Sequence, residues 1–406
     1  MDNPAGEIDH VLRSFFARRF AEAAEASGPV AGLYEPIAGL VLRGGKRLRA
    51  RFVLLGWRGA GAEVSAAAFG AAAVVELLHA CALIHDDVMD GSATRRGGPA
   101  VHLEFAAQHH RERWHGSEAQ FGLSAAITAG DLCLVWADRL LRTCGLESGA
   151  VARARPVYDE MRALTMHGQY LDLVTQASGE ASAAAALEVA RAKTAACTTT
   201  GPLRFGGALA GACPELLERY GAYGDALGVA FQLRDDLLGA FGDPAATGKP
   251  SGDDLRDGKR TVLLAEAVQR LPATEVDGLA ELIAEGTDEA VAHIRVLLTS
   301  SGAQAAVEER ISELGRCAAE HARELPLADE TVRAELLGLV DAVTAAPAPA
   351  PRHPDGATSR RPLAGPVTVT HGPDGAGLRA ATPVSGRPSE PAAARPRAAA
   401  PPPREV

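Results

Sequence analysis

The chain has 406 residues, 47% of them hydrophobic, 23% charged and only 4% aromatic, with a formal net charge of −10. That is enough apolar chain for a substantial core, and the acidic balance argues against a general nucleic-acid binder, which needs a basic face. Few aromatics beside abundant Ala and Leu favour helices over sheets, and six cysteines without a C-x-x-C pair point to reduced thiols in a cytoplasmic protein rather than a disulfide scaffold or zinc ribbon.

The opening MDNPAGEIDHVLRSFFARRF has early acidic residues and no uninterrupted apolar run, so it does not read as a signal peptide. Residues 1–345 read as successive helices, with Ala/Leu-rich stretches at Ala66 to Asp90, Phe121 to Cys144, Arg153 to Ala177, Ala183 to Thr200, Pro214 to Phe241 and Lys259 to Arg270. No run alternates with period two between hairpin signals, so no sheet is expected. The most apolar stretch, Ala66 to Ile84, contains Glu76 and His79 and runs into Asp86 and Asp87, which suits a buried core helix and not a transmembrane segment. His109, His110 and His115 fall in QHHRERWHGSEAQ at a spacing that matches no usual ligand pattern, so a polar loop is expected there. From about Ala345 the composition changes: residues 347–406 hold 14 of the 25 prolines, and eight Arg against four carboxylates give them +4, leaving −14 for the rest. The expected organisation is one domain over 1–345 and a disordered Pro/Ala/Arg-rich tail over 346–406.

The strongest local signal is LIHDDVMDGSATRRG. Asp86 and Asp90 project from one helical face a turn apart, with Asp87 beside them. Three carboxylates this close in apolar surroundings stay ionised only with cations among them. Oxygen ligands at this spacing suit Mg²⁺, which accepts phosphate oxygens in its remaining positions, and Arg95 and Arg96 follow as phosphate-matching forks. Downstream by 149 residues, FQLRDDLLGAFGDPAATGKPSGDDLRDGKRT repeats the arrangement, with Asp235 and Asp236 ending an apolar stretch and Lys249, Lys259 and Arg260 beyond it. A third element, LRGGKRLR, sets Lys46, Arg47 and Arg49 after two glycines that let the backbone pass close to an anion. Two acidic helix ends facing each other across a bundle predict one diphosphate clamped by Mg²⁺, with a second diphosphate at the basic element.

With GGKRLR, HDDVMD, RRGGPAVH, AKT, FQLRDD, GKP and DGKR in this order over residues 30–340, the sequence resembles the trans-isoprenyl diphosphate synthases, the polyprenyl synthetase family, and particularly the actinobacterial geranylgeranyl diphosphate synthases. The resemblance implies an all-α isoprenoid synthase bundle around a central cavity, a homodimer, Mg²⁺ as cofactor, and isopentenyl diphosphate with dimethylallyl, geranyl or farnesyl diphosphate as substrates. It further implies that Lys46, Arg49 and His79, assisted by Arg96, hold isopentenyl diphosphate. Asp86 and Asp90, with Asp235 opposite, would ligate the metal, supported by Asp87 and Asp236. Arg95, Lys193, Lys249 and Lys259 would grip the allylic diphosphate, and Thr194 and Gln232 would face the developing cation, so that Lys193, Thr194 and Gln232 form the catalytic set. The family's second acidic motif is commonly D-D-x-x-D, whereas position 239 is Gly. Asp243, one turn further, replaces the missing carboxylate only if the helix continues past Gly239 and Gly242.

Product length should follow from the helix above Asp86, where one turn is about 5.4 Å, close to one prenyl unit. Cys81 and Ala82 do not block a C15 tail, and Leu77 and Leu78 lie one turn deeper as a floor. A C20 product is therefore expected, with longer polyprenyl diphosphates as the alternative. A terpene cyclase would lack reason to keep GGKRLR and His79, and a silent partner subunit should have lost site residues, which only Gly239 suggests.

Overall fold

A computed structural model describes residues 3–26, 28–179, 181–242 and 252–345. The tail, Lys249 and Asp243 lie outside the described residues. Helices α1 (Pro4–Ala26), α2 (Gly28–Leu42), α3 (Leu48–Gly59) and α4 (Ala66–Met89) open the chain, followed by a short hairpin, β1 (Thr94–Arg95) and β2 (Gly98–Pro99). Then come α5 (Val101–Arg111), α6 (Glu118–Thr143), α7 (Ser148–Ser178) and α8 (Ala183–Val189), the last continuing as a π-helix over Ala190–Thr200. The remainder is α9 (Gly201–Ala210), α10 (Pro214–Phe241), α11 (Asp253–Arg256), α12 (Val262–Arg270), α13 (Ala273–Glu285), α14 (Asp288–Ser300), α15 (Ala303–Glu324) and α16 (Thr331–Thr344).

Local capping sets the boundaries. Ser65, Ser117, Ser182, Thr261 and Thr287 each accept the backbone N–H three residues on, starting α4, α6, α8, α12 and α14. Ser117 therefore starts α6 before Phe121, and Thr261 starts α12 only at Val262, which leaves Lys259 and Arg260 on a loop. The hairpin corrects the expectation of no sheet. Thr94 pairs with Pro99 and Arg95 with Gly98, and the two loop residues, Arg96 and Gly97, have φ of +52° and +71°. That is the mirror-image turn whose twist matches an antiparallel pair, too short to show as alternation in sequence.

Three hydrophobic clusters hold the bundle: one around α1 to α7, one around α10, α12, α14 and α15, and one where α3, α9, α10, α15 and α16 meet. Small residues bring helix axes close. A β-carbon on Gly56 of α3 would lie 2.0 Å from the Leu203 carbonyl oxygen, and one on Gly206 of α9 would lie 1.9 Å from that of Val53. Two helices, Ala66–Met89 and Glu118–Thr143, are long and apolar enough to cross a membrane by length and composition. In α4 that stretch is mostly buried inside the bundle. The histidine-rich segment ends α5 and forms a loop: His109 is buried against Trp114 and Phe121, with its Nε2 3.1 Å from the His115 carbonyl oxygen, and His110 pairs with Glu118.

Candidate active site

A cavity of about 320 Å³ opens between α4, α7, the α8/π segment, α10 and the loop around α11. Its lining includes Arg49, His79, Ala82, Asp86, Arg95, Lys193, Thr194, Gln232, Asp235, Asp236 and Lys259, so the structure gathers most of the residues singled out in sequence around one space.

On α4, Asp86 accepts from Lys193 Nζ at 2.9 Å and from Gln169 Nε2 at 3.2 Å. Burial opposes its charge, but Lys193, Lys259 and Arg95 hold its carboxyl below the ordinary value. Asp87 is fully buried and turned to Arg95, whose Nε donates to it at 2.7 Å. Its other oxygen is buried with no hydrogen-bond partner among the described residues, and burial pushes its carboxyl up. Asp90 caps α4, with Oδ2 3.2 Å from Lys259 Nζ. Lys193 also donates to Asp172 at 2.6 Å, and Lys259 lies 3.3 Å from Asp254. Two ammonium groups thus sit between pairs of carboxylates, as the charge argument requires.

Opposite, Asp235 and Asp236 reach the cavity from α10. Thr194 Oγ1 donates to Gln232 Oε1 at 2.6 Å, and Gln232 Nε2 donates to Asp236 at 2.7 Å, so the amide orientation is fixed at both ends. Burial, together with the Asp235 and Asp254 charges and against the Gln232 bond, raises the Asp236 carboxyl to about 7.

The basic element follows from glycine geometry. Gly44 and Gly45 have φ of +98° and +140°, which side chains rarely adopt, and the turn leaves Lys46 exposed. Arg47 instead turns inward to Asp9, Glu76 and the Val41 carbonyl at 2.8, 3.1 and 2.7 Å, pinning the loop to α1, α4 and α2. Arg49 reaches His79 Nε2 at 3.2 Å and Thr198 at 2.8 Å. Arg96 lies over Gly45 and donates to the Leu40 carbonyl at 3.1 Å. Lys46, Asp87, Asp90 and Arg96 are not part of the cavity lining. Of the chain-length positions, Ala82 is on the wall. Leu77, Leu78 and Cys81 are fully buried in the core, and the Cys81 thiol is raised to about 12 by burial and the Asp131 charge.

A sequence model described as polyprenyl synthetase matches residues 30–299. The chain belongs to the polyprenyl synthetase family. It is a trans-prenyltransferase of that family, similar to several prenyl diphosphate synthases. The crystal structure of geranylgeranyl pyrophosphate synthase from Corynebacterium glutamicum, complexed with isoprenyl diphosphate and magnesium, superposes with a TM-score of 0.80 at 40% identity, over 85% of this chain and 99% of that one. The geranylfarnesyl diphosphate synthase of Aeropyrum pernix is 36% identical over 241 residues, 58% of this chain and 70% of the relative. The geranylgeranyl diphosphate synthase of Mycobacterium tuberculosis is 34% identical over 273 residues, 66% of this chain and 73% of the relative.

In this prenyltransferase Arg260, noted in sequence among the basic residues after the second acidic pair, also lines the cavity, as do Thr165, Gln169, Asp172, Phe231, Asp254 and Thr261, which sequence did not single out. The signal for Gln169 and Asp172 was their i, i+3 spacing in HGQYLD, which puts both on one face of α7. His79 is held neutral: burial, then the charges of Arg49 and Arg96, push its ring well below the ordinary value. An unfolded histidine takes up a proton below about pH 6.5 while native His79 does not, so this group removes stability as pH falls. We expect the difference in unfolding free energy between pH 7.5 and 5.5 to shrink by on the order of 1 kcal/mol in His79→Gln, measured by urea denaturation. An identical pH dependence in wild type and variant would refute the neutral state.

Proposed function

We propose that this trans-prenyltransferase joins isopentenyl diphosphate to an allylic diphosphate with Mg²⁺, and that its product is all-trans geranylgeranyl diphosphate. The observation that carries the reading is one cavity lined by Asp86 of α4 and by Asp235 and Asp236 of α10, with Lys193 and Lys259 paired to Asp86 and Asp90 of the first acidic group and with the Arg49–His79 pair in the same lining.

The donor set suits Mg²⁺. Asp86, Asp90, Asp235 and Asp236 offer only oxygen, and Mg²⁺ is usually held by one or two carboxylates plus phosphate oxygens. When bound, the metal neutralises charge that develops on the departing pyrophosphate. Lys193, Lys259 and Arg95 present fixed positive charge to the same group, and electrostatic stabilisation of this kind commonly dominates catalysis. As the allylic C–O bond breaks, its electron pair leaves with pyrophosphate. The Thr194 oxygen, anchored through Gln232, faces the cation left behind. The double bond of isopentenyl diphosphate, held at Arg49 and His79, closes on that cation, and its C2 proton passes to the released pyrophosphate. Ala82, Leu83, Ala186, Val189, Ala190 and Phe231 supply an apolar wall that keeps water from the cation.

The test is incubation of the full chain with labelled isopentenyl diphosphate, Mg²⁺ and, separately, dimethylallyl, geranyl and farnesyl diphosphates, followed by chromatography. A C20 product supports the proposal, longer products would favour a polyprenyl synthase, and no prenyl product from folded protein would overturn it. Because Ala82 is on the wall, Ala82→Phe should shift the dominant product from C20 to C15, and an unchanged distribution would remove this position from the tunnel.

We further assign a homodimer, the cytoplasm, and a catalytic unit over residues 1–345 with 346–406 as an appendage. Among the described residues, every exposed large hydrophobic except Val296 falls between Met89 and Val174, including Ile127 and Val135 on α6 and Leu164, Leu171 and Val174 on α7. A second copy covering this region removes that apolar surface from water. Six free thiols suit a reducing compartment.

A further inference from the structure

The second acidic group has glycine at the position four residues after Asp235, and the structure shows what occupies that space. A β-carbon on Gly239 would lie 2.4 Å from Asp254 Oδ2 and 3.5 Å from its Cγ. The Asp254 carboxylate therefore stands where a side chain at 239 would begin. The contact is built in. Gly252, with φ of +96°, donates its N–H to the Gly239 carbonyl at 2.9 Å, seating the start of α11 on the last turns of α10. Arg295 Nε bonds the next carbonyl, that of Ala240, at 2.6 Å. Asp254 lines the same cavity as Asp235 and Asp236. Lys259 Nζ bridges its carboxylate to Asp90, 3.3 Å from one and 3.2 Å from the other, so a cation already connects Asp254 to the first acidic group.

We propose that Asp254 supplies the third carboxylate of the second acidic group, acting as a metal-holding residue from a different segment, and that Gly239 is what makes room for it. The inference rests on the Mg²⁺–diphosphate reading above. It differs from the sequence alternative, Asp243, in placing the carboxylate on α11 rather than on a continuation of α10. The neighbouring Asp253 is exposed and paired with Arg256 at 2.6 Å, so two adjacent aspartates should behave differently.

The test is Mn²⁺ binding to the full chain in the presence of inorganic pyrophosphate, followed by electron paramagnetic resonance, a readout independent of turnover. Asp254→Asn should weaken Mn²⁺ binding about tenfold or lose one ion from the bound set, while Asp253→Asn binds like wild type. Gly239→Asp should also weaken binding, because the new side chain meets Asp254. The exchange Gly239→Asp with Asp254→Gly should recover affinity to within about threefold of wild type. Asp254→Asn with wild-type stoichiometry and affinity overturns this proposal alone. A wild-type chain that fails to bind Mn²⁺ with pyrophosphate overturns the reading beneath it as well.

Discussion

Asp86→Asn should lower turnover by about 10³-fold at saturating Mg²⁺ while leaving the fold intact. Asp86 contacts Lys193 at 2.9 Å, Gln169 at 3.2 Å and Arg95 at 3.5 Å, so one carboxylate organises groups from α7, the π-helix and the hairpin. The amide keeps the shape but loses the charge, and losing a single electrostatic stabiliser of a transition state commonly costs 10²–10³-fold. On the metal-holding role proposed above for Asp86, a metal position is lost as well. Asp86 is charged in the native state despite its burial, with its pKa held below the ordinary value by Lys193. Steady-state kinetics with farnesyl diphosphate, together with circular dichroism of the variant, decide the matter. A loss under tenfold would remove Asp86 from the metal-holding set.

Gly206→Ala should destabilise the protein by about 3 kcal/mol, at the upper end of overpacking costs. On an exposed helix the same change stabilises by about 0.5–1 kcal/mol, because alanine loses less backbone entropy than glycine. Gly206 reverses that sign because its β-carbon would fall 1.9 Å from the Val53 carbonyl oxygen, and backbone cannot rotate away as a side chain can. The reciprocal contact at Gly56 means that α3 and α9 must separate along their length. Gly278 on α13 has nothing within 4 Å of its β-carbon position, so Gly278→Ala is the internal control and should stabilise. Urea denaturation of both variants tests the pair: a Gly206→Ala midpoint at or above wild type would show that the interface yields.

Sequence legibility followed the range of each signal. The helical bundle was readable because Ala/Leu periodicity and Ser/Thr caps are local. Pro214–Phe241 emerged at its observed ends because Pro214 starts it and Gly242 follows it. Asp86, Asp235 and their basic followers were readable for the same reason, since carboxylates at helical spacing in apolar surroundings are anomalous by themselves. Arg47 was not separable from Lys46 and Arg49 in GGKRLR, because only the fold brings Asp9 and Glu76 to it. Asp254 was hidden in GDDLRDGKR, where nothing local says which acid faces a cavity. The hairpin was too short to alternate, and the change from α8 to a π-helix leaves no mark in an alanine- and threonine-rich run.

That π-helical run, Ala190–Thr200, bears on what the lineage can vary. A wide turn is an α-helix carrying an extra residue, and such bulges recur at functional sites. Here the extra residue sits in the segment that presents Lys193, Thr194, Cys197 and Thr198. Each α-helical residue advances about 100°, since 3.6 make a turn. Deleting a residue from this run would close a wide turn and change which of these side chains face the cavity. Substitutions along it can be absorbed one side chain at a time, whereas a shift in length cannot. Insertions and deletions should therefore be purged from this stretch more strictly than amino-acid changes are.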